Sequence, residues 1–322
     1  MPPESVPTSR IGSVFMKAAV EPVAMIEAPA PVPVPAAAAG RGAALRRGLA
    51  ANPLLVAGGL LSALIVVVAL FAPLIAPFPG DAGIATHPFM VLRPPSAQHW
   101  FGTDEVGRDI FSRVIYGTRV SPLIAIFVLL IACAIGMPLG AVAGYFGGWL
   151  DEVIMRVTDV FLAFPPLLLA LALAAVLPTS LTSLVIAIAV AWWPWYTRLI
   201  RGQAASVAGR PYIESCRALG ISRRRIIIRH VLPNAITPLI VQVSLDFGGV
   251  ILTASALSFL GLGAQDPTPD WGLMVAEGQN YFTTAWWVVT FPGLAILLTA
   301  FAFTLLGDGL RDLLDPKRIV LR

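Results

Sequence analysis

The chain has 322 residues, of which 57% are hydrophobic and only 12% are charged, and its mean hydropathy is +0.82. Soluble domains average roughly 45–50% apolar and about 25% charged residues, so this composition excludes an ordinary soluble protein and indicates an integral membrane protein. The net charge of +4 follows membrane sidedness along the chain, as shown below, and we therefore expect no nucleic-acid partner.

The first 50 residues differ from the rest of the chain. They contain the run APAPVPVPAAAA and lack the apolar surface needed to offset the entropy of ordering. The first long apolar stretch begins after them and is long enough to span a bilayer, which argues against a cleavable signal. Residues 1–50 are predicted to be a disordered Ala/Pro-rich cytoplasmic tail.

Six later stretches have the length of about 20 mainly apolar residues that a spanning helix requires. They are residues 54–76, 120–144, 160–177, 181–200, 235–262 and 286–306. The third and fourth are separated by only three residues, so they are expected to form a helical hairpin. The sequence predicts an all-α membrane protein with a first span and external segment (51–119) and a core of five helices (120–322).

Charge predicts the orientation of these spans. With a cytoplasmic amino terminus and six spans, all but four of the 22 lysine and arginine residues fall on the cytoplasmic side. The external ones are Arg93, Arg108, Arg113 and Arg119. The positive-inside rule then places both termini in the cytoplasm, which five or seven spans would not allow.

In the external segment, residues 101–119, acidic and basic side chains alternate. Local ion pairing is the favoured reason for arginines there, and contact with a substrate-delivering protein is the alternative. The residues concerned are Asp104, Glu105, Asp109, Arg108, Arg113 and Arg119.

Catalytic motifs are absent from the sequence. The only lysines, Lys17 and Lys317, do not lie in a G-x-x-x-x-G-K-[ST] motif, so the chain does not supply a P-loop and is not expected to hydrolyse ATP. Cys133 and Cys216 are far apart in the sequence and the three histidines are scattered. We expect no enzyme activity, metal site or disulfide framework.

A basic loop, residues 198–234, connects the fourth and fifth spans and is long for a connection. Gly220 divides it. Residues 212–219 have helical character, and Ser222 is expected to cap a second short helix. The sequence thus predicts two short helices that meet at a glycine.

Part of this loop, ESCRALGISRRRIIIRHVLP (214–233), resembles the cytoplasmic loop of ATP-binding-cassette importer permeases, where a separate ATPase subunit docks. Shared features are an initial glutamate, two small residues, a glycine six positions on, and a final Leu-Pro. The loop departs in having Ser215 and Cys216 for the usual alanines and His230 for an aliphatic residue. The resemblance implies a docking site formed by Glu214, Ser215, Cys216, Arg217, Ala218, Gly220, His230, Leu232 and Pro233.

Simple attraction of the arginines to anionic lipid, at about 1 kcal/mol each, is the alternative interpretation of this loop. It does not explain the spacing from glutamate to glycine to Leu-Pro, so ATPase docking is favoured.

Four further stretches narrow the resemblance to C-type permease subunits of dipeptide, oligopeptide and nickel importers. They are FGTDEVGRDIFSRVIYGTR (101–119), GYFGGWLDEVIMRVTDVFLAFP (144–165), LSFLGLGAQDPTPDWG (257–272) and FPGLAILLTAFAFTLLGDGLRDLLDP (291–316). A departure is Asp266, where relatives commonly have proline.

This resemblance implies the type I importer permease fold in a bacterial inner membrane. The implied partners are a second homologous permease, two cytoplasmic ATPase subunits that bind ATP and Mg, an extracytoplasmic solute-binding protein and membrane lipid; this chain would hold no cofactor. Peptides are the expected substrates, with nickel complexes and glutathione-like compounds left open.

Asp246 is the costly residue inside the spans, since a carboxylate at membrane depth is unfavourable by at least about 2.5 kcal/mol. Gln242 precedes it by one turn. The pair is either part of the translocation path or a buried structural hydrogen bond, and both interpretations stay open. An ion-coupled secondary transporter or channel that uses Asp246 is the alternative function, and a lipid-binding membrane scaffold ranks last.

Overall fold

The structure, a computed structural model, describes residues 52–314; the predicted tail at 1–50 lies outside them. Within this range the chain is helical and forms no strand beyond an isolated bridge between Thr103 and Asp109, which confirms the all-α prediction. The helices are α1 (Pro53–Ile75), α2 (Ile110–Phe146), α3 (Gly148–Leu162), α4 (Pro166–Val176), α5 (Leu181–Ala208), α6 (Pro211–Ala218), α7 (Arg223–Phe259), α8 (Trp271–Gly278) and α9 (Trp287–Leu314).

Five of these helices, namely α1, α2, α5, α7 and α9, are long and apolar enough to cross a membrane. A sixth crossing exists if α3 and α4 count as one span that bends by 84°. The predicted third span at 160–177 is therefore not a single helix. Pro165 and Pro166 explain the break, because proline supplies no N–H for the helical ladder and disfavours helical geometry in the residue before it.

Helices α2 and α5 pack closely through three glycines spaced one turn apart on α2. A Cβ atom at Gly140 would lie 2.4 Å from the Thr197 carbonyl oxygen, and one at Gly144 would lie 2.3 Å from the Arg201 carbonyl oxygen. Gly136 lies in the same way against the Trp193 carbonyl. Small residues at this spacing let membrane helices approach closely.

The contacts of these glycines also show the relative direction of the two helices. Residue numbers of the contacting pairs increase together along α2 and α5, so the two helices run parallel. The chain between them therefore has to return across the bundle, and α3 with α4 makes this return as a bent pair.

Helix α1 packs antiparallel against α9. A Cβ atom at Gly58 would lie 2.3 Å from the Leu306 backbone nitrogen, and one at Gly309 would lie 2.4 Å from the Leu55 Cα atom. The side chain of Asn52 donates to the Gly309 carbonyl at 3.2 Å. The start of α1 and the end of α9 consequently lie at the same end of the bundle.

Candidate functional site

Helix α6 (Pro211–Ala218) lies in the basic loop and ends two residues before Gly220, close to where the sequence predicts. Gly220 has φ +73°, and its N–H donates to the Arg217 carbonyl at 3.0 Å. The N–H of Ile221 donates to the Cys216 carbonyl at 3.1 Å. This pair of bonds is the Schellman motif, which needs a left-handed residue at the position of Gly220.

The second half of the loop differs from the prediction of a separate short helix. Ser222 is the N-cap residue of α7, as predicted, but its hydroxyl makes no capping hydrogen bond. Helix α7 starts at Arg223, passes through one π-helical turn (Ile227–Val231) and continues to Phe259. The second half of the loop is therefore continuous with a candidate membrane-spanning helix.

The π-turn lies where the helical ladder is already incomplete. The N–H of Leu232 donates to the Ile227 carbonyl, five residues earlier, and Pro233 has no N–H to give to the carbonyl four residues before it. The sequence analysis missed this turn, although Pro233 was its available signal.

A small apolar cluster holds α6 and the start of α7 against the carboxyl-terminal ends of α2 and α5. Ile213, Ile226 and Val231 are fully buried in it. The other buried members are Tyr145, Ala204 and Val207. The coupling segment, defined here as residues 209–233, is thus anchored on one face by about three large apolar side chains, each worth roughly 1.5–3 kcal/mol of burial.

The opposite face of the coupling segment is open. Glu214 and Ser215 are exposed, and Leu219 is 80% exposed. Sequence reasoning omitted Leu219, although an apolar residue immediately before the glycine of a short polar helix is a usable signal. The other predicted docking residues divide between exposed Arg217, Ala218, Gly220 and Pro233 and half-buried Cys216, His230 and Leu232.

Asp246 forms a structural link between two spans. The Tyr196 hydroxyl on α5 donates to Oδ2 at 2.8 Å, and Gln242 Nε2 donates to Oδ1 at 2.9 Å. Both carboxylate oxygens of Asp246 therefore accept a hydrogen bond from this chain. Tyr196 lies 50 positions away, and no local pattern in the sequence could have found it.

At the other end of the bundle, two buried arginines form an ion-pair network. Arg108 Nε lies 2.7 Å from Asp104 Oδ2, and its Nη1 lies 2.6 Å from Asp266 Oδ1. Arg113 Nη2 lies 3.4 Å from Glu277 Oε2. The side chains of Arg108 and Arg113 are 3% and 0% exposed, so both guanidinium groups are almost fully desolvated, whereas the Asp266 side chain is 60% exposed.

The network confirms local ion pairing for Asp104, Arg108 and Arg113, while Asp266 and Glu277 were missed as partners. Burial raises the pKa of Glu277 to about 7, against the lowering influence of Arg113. Burial also raises the pKa of Glu105, whose Oε2 has no hydrogen-bond partner.

Asp109 and Arg119 do not form the predicted local ion pairs. Asp109 is the N-cap of α2, where its Oδ2 accepts from the Ser112 N–H at 2.8 Å, and its Oδ1 lies 2.9 Å from His99 Nδ1. Arg119 Nε donates to the Ala69 carbonyl at 2.6 Å. That carbonyl lies four residues before Pro73, which has no N–H, so Arg119 satisfies an acceptor that the proline leaves free.

No cluster of three or more His, Cys, Asp or Glu residues among positions 52–314 could hold a metal ion. Cys133 and Cys216 are both free thiols.

Comparison with known proteins decides the family. Residues 136–320, more than half of the chain, match the family described as "Binding-protein-dependent transport system inner membrane component". The chain belongs to this family. Residues 43–95 match a second family, described as "N-terminal TM domain of oligopeptide transport permease C".

Three relatives show the same membership. The chain is 48% identical over 276 residues to the probable D,D-dipeptide transport system permease protein DdpC of Escherichia coli K12, covering 86% of this chain and 92% of the relative. It is 44% identical to the dipeptide transport system permease protein DppC of Alkalihalophilus pseudofirmus (84% and 88% covered). It is also 44% identical to the glutathione transport system permease protein GsiD of Pectobacterium atrosepticum (81% and 86% covered).

A solved structure of the MetNI methionine ABC transporter in an inward-facing conformation shares the fold. The TM-score is 0.50 at 16% identity, over 64% of this chain and 98% of that chain. The chain is thus an importer permease, a multi-pass inner-membrane subunit that is not itself an enzyme, and the ATPase is a separate subunit. As a family, these permeases work with an ATPase and a substrate-binding protein.

Proposed function

We propose that this permease forms half of the translocation path of an ATP-driven importer for di- or oligopeptides. The observation that carries the proposal is the coupling segment. Its Glu214–Leu219 face is open, its other face is buried against α2 and α5, and its chain continues into α7. The names of the relatives, which refer to dipeptide and glutathione transport, support a peptide-like substrate.

In this proposal an ATPase subunit docks on the exposed residues of the coupling segment. Closure of the ATPase pair displaces α6 and the start of α7, and the rigid continuation of α7 carries the movement into the membrane. The ATPase has to contact the segment differently in its two states, since a partner with equal affinity for both would shift nothing.

The proposed assembly contains a second homologous permease, two cytoplasmic ATPase subunits that hold ATP and Mg, and an extracytoplasmic binding protein. Both termini and the coupling segment lie on the cytoplasmic side. The shared end of α1 and α9 and the parallel course of α2 and α5 support this arrangement, as does the arginine bias of the coupling segment.

A place on the translocation path stays a prediction for Gln242 and Asp246, which are both half-buried. The alternative of an ion-coupled transporter receives less support, because both carboxylate oxygens of Asp246 already accept hydrogen bonds from Tyr196 and Gln242.

The test is uptake by the reconstituted complex with Glu214→Arg in the permease. We expect substrate-stimulated ATP hydrolysis and peptide uptake to be lost while membrane insertion is retained. Glu152→Arg is the matched control, because Glu152 is also an exposed acid, on α3, outside the coupling segment. Unimpaired uptake by Glu214→Arg, or uptake that follows a proton gradient and not ATP, would contradict the proposal.

A further inference from the structure

Five of the six arginines of the coupling segment line two separate pockets. Arg217 and Arg223 lie against the inner end of α2: the Arg217 guanidinium is 5.1 Å from the centroid of the Tyr145 ring, and that of Arg223 is 5.7 Å from the Phe146 ring. These four side chains line a pocket of about 210 Å³. A second pocket, of about 270 Å³, is lined by Ser222, Arg224, Arg225, Ile228 and Arg229.

The first pocket carries positive charge, and among residues 52–314 no carboxylate forms an ion pair with Arg217 or Arg223. Arg217 donates one hydrogen bond, to the Ala208 carbonyl at 3.4 Å. Stacking on an aromatic ring holds a guanidinium by its face and leaves its edge donors free, which suits the oxygens of a phosphate group.

The depth of the pocket along the membrane normal indicates which kind of molecule could supply such a phosphate group. The apolar part of α2 begins near Val120, and at 1.5 Å per residue Tyr145 lies roughly 37 Å further along the helix. The hydrocarbon core is about 30 Å thick, and about 40–45 Å with both headgroup layers. Phe146 is 39% exposed and Trp149 is 72% exposed, as is typical of aromatic residues at headgroup depth.

We infer that the pocket formed by Arg217, Arg223, Tyr145 and Phe146 binds the phosphate of an anionic phospholipid in the cytoplasmic leaflet. The lipid bridges the end of α2 to the coupling segment and steadies α6 in its docking position. Basic pockets between membrane helices on the cytoplasmic side bind anionic headgroups in this way. The leaflet assignment rests on the orientation in the proposed function.

The experiment measures binding of phosphatidylglycerol to the purified transporter complex by native mass spectrometry. The test variant is Arg217→Gln with Arg223→Gln. The control is Arg224→Gln with Arg225→Gln, which removes the same charge from the second pocket. We expect the affinity to fall roughly 25-fold in the test variant, about fivefold for each arginine, and less than about twofold in the control.

Three further measurements, with phosphatidylcholine, with inorganic phosphate and of ATPase-subunit binding, distinguish a lipid phosphate from free phosphate and from a protein partner. Phosphatidylcholine should bind weakly to both variants and to the parent, and millimolar inorganic phosphate should not displace phosphatidylglycerol. Equal loss of affinity in the test and control variants would overturn the inference, because it would show general attraction to charge. Efficient displacement by inorganic phosphate, or loss of ATPase-subunit binding with lipid binding intact, would also overturn it.

The lipid-binding measurement does not require the complex to transport substrate. A failure of ATP-driven uptake would therefore refute the proposed function and leave the measured lipid affinities standing, and melting temperatures of both variants show whether either has misfolded.

Discussion

Arginines at the two ends of this bundle have opposite surroundings. Where α2 begins, Arg108 and Arg113 are 3% and 0% exposed, and each lies within ion-pair distance of two or more carboxylates. In the coupling segment, at the other end of α2, Arg224, Arg225 and Arg229 are exposed. Within 52–314 these three form no ion pair. The charges of Arg108 and Arg113 are therefore compensated within the chain, while those of Arg224, Arg225 and Arg229 are available to partners.

The largest expected effect of this difference is on stability. Arg113→Met removes one cationic partner of the buried carboxylates Glu277 and Asp104. Removing one partner of a buried ion pair costs about 3–5 kcal/mol of unfolding free energy. Arg224→Met removes the same charge from an exposed position, where substitutions usually change stability by less than about 0.5 kcal/mol. Melting temperatures of the two variants in detergent measure the contrast, and equal values would refute it.

Protonation of Glu277 makes the stability of the protein depend on pH, through the ion-pair network around Arg108 and Arg113. Its pKa of about 7 in the folded chain lies above its ordinary value of 4.5, so the folded state binds the extra proton between about pH 4.5 and 7. Stability is full below this window and falls as pH rises through it, by up to about 1.4 kcal/mol per pH unit. Asp104, Glu105, Asp266, Arg108 and Arg113 belong to the same network.

Glu277→Gln removes this titration. We expect a shallower fall in melting temperature between pH 5 and 7 than in the parent, although Glu105, whose pKa is also raised by burial, keeps some slope. An identical pH profile in the variant would show that Glu277 does not titrate in this window.

Two glycines, Gly220 in the coupling segment and Gly202 in α5, allow the effect of backbone strain to be distinguished from that of steric crowding. A Cβ atom at either Gly220 or Gly202 meets nothing within 4 Å, but only Gly220 has a positive φ, at +73°. Gly220→Ala is expected to cost about 1–2 kcal/mol locally and to reduce coupled ATP hydrolysis, while Gly202→Ala in α5 is neutral or slightly stabilising. Reconstituted ATPase assays decide this, and equal activities would count against a fixed turn at Gly220.

The smallest effect concerns Arg119, an arginine whose side chain donates to backbone carbonyls. Arg119→Gln should cost about 1 kcal/mol, because the Ala69 carbonyl loses its donor. With Pro73→Ala as background, the new N–H at position 73 can serve that carbonyl and the cost should shrink. A double-mutant cycle of melting temperatures measures the coupling; additivity would mean that the two residues act independently.

Local patterns were sufficient for some elements. The apolar run at 54–76 and the glycine at 220 reappear as α1 and as the Schellman turn, because span length and backbone handedness are properties of short segments. The span predicted at 160–177 failed at Pro165 and Pro166. The proline pair was visible as the cause of a break, but the 84° angle between α3 and α4 and the contact of α3 with α5, where Asp151 Oδ2 lies 2.6 Å from Arg201 Nη2, could not be read from it.

The sequence by itself determined that this is a multi-pass membrane protein, where its apolar segments lie, and which loop carries the importer motif. These follow from composition, segment length and residue spacing, which act locally. Tertiary structure alone decided that Arg108 pairs with Asp266, 158 positions away, that Tyr196 holds Asp246, and that Arg217 and Arg223 face α2 while their neighbours do not. Those contacts depend on the mutual packing of helices, which a one-dimensional pattern does not specify.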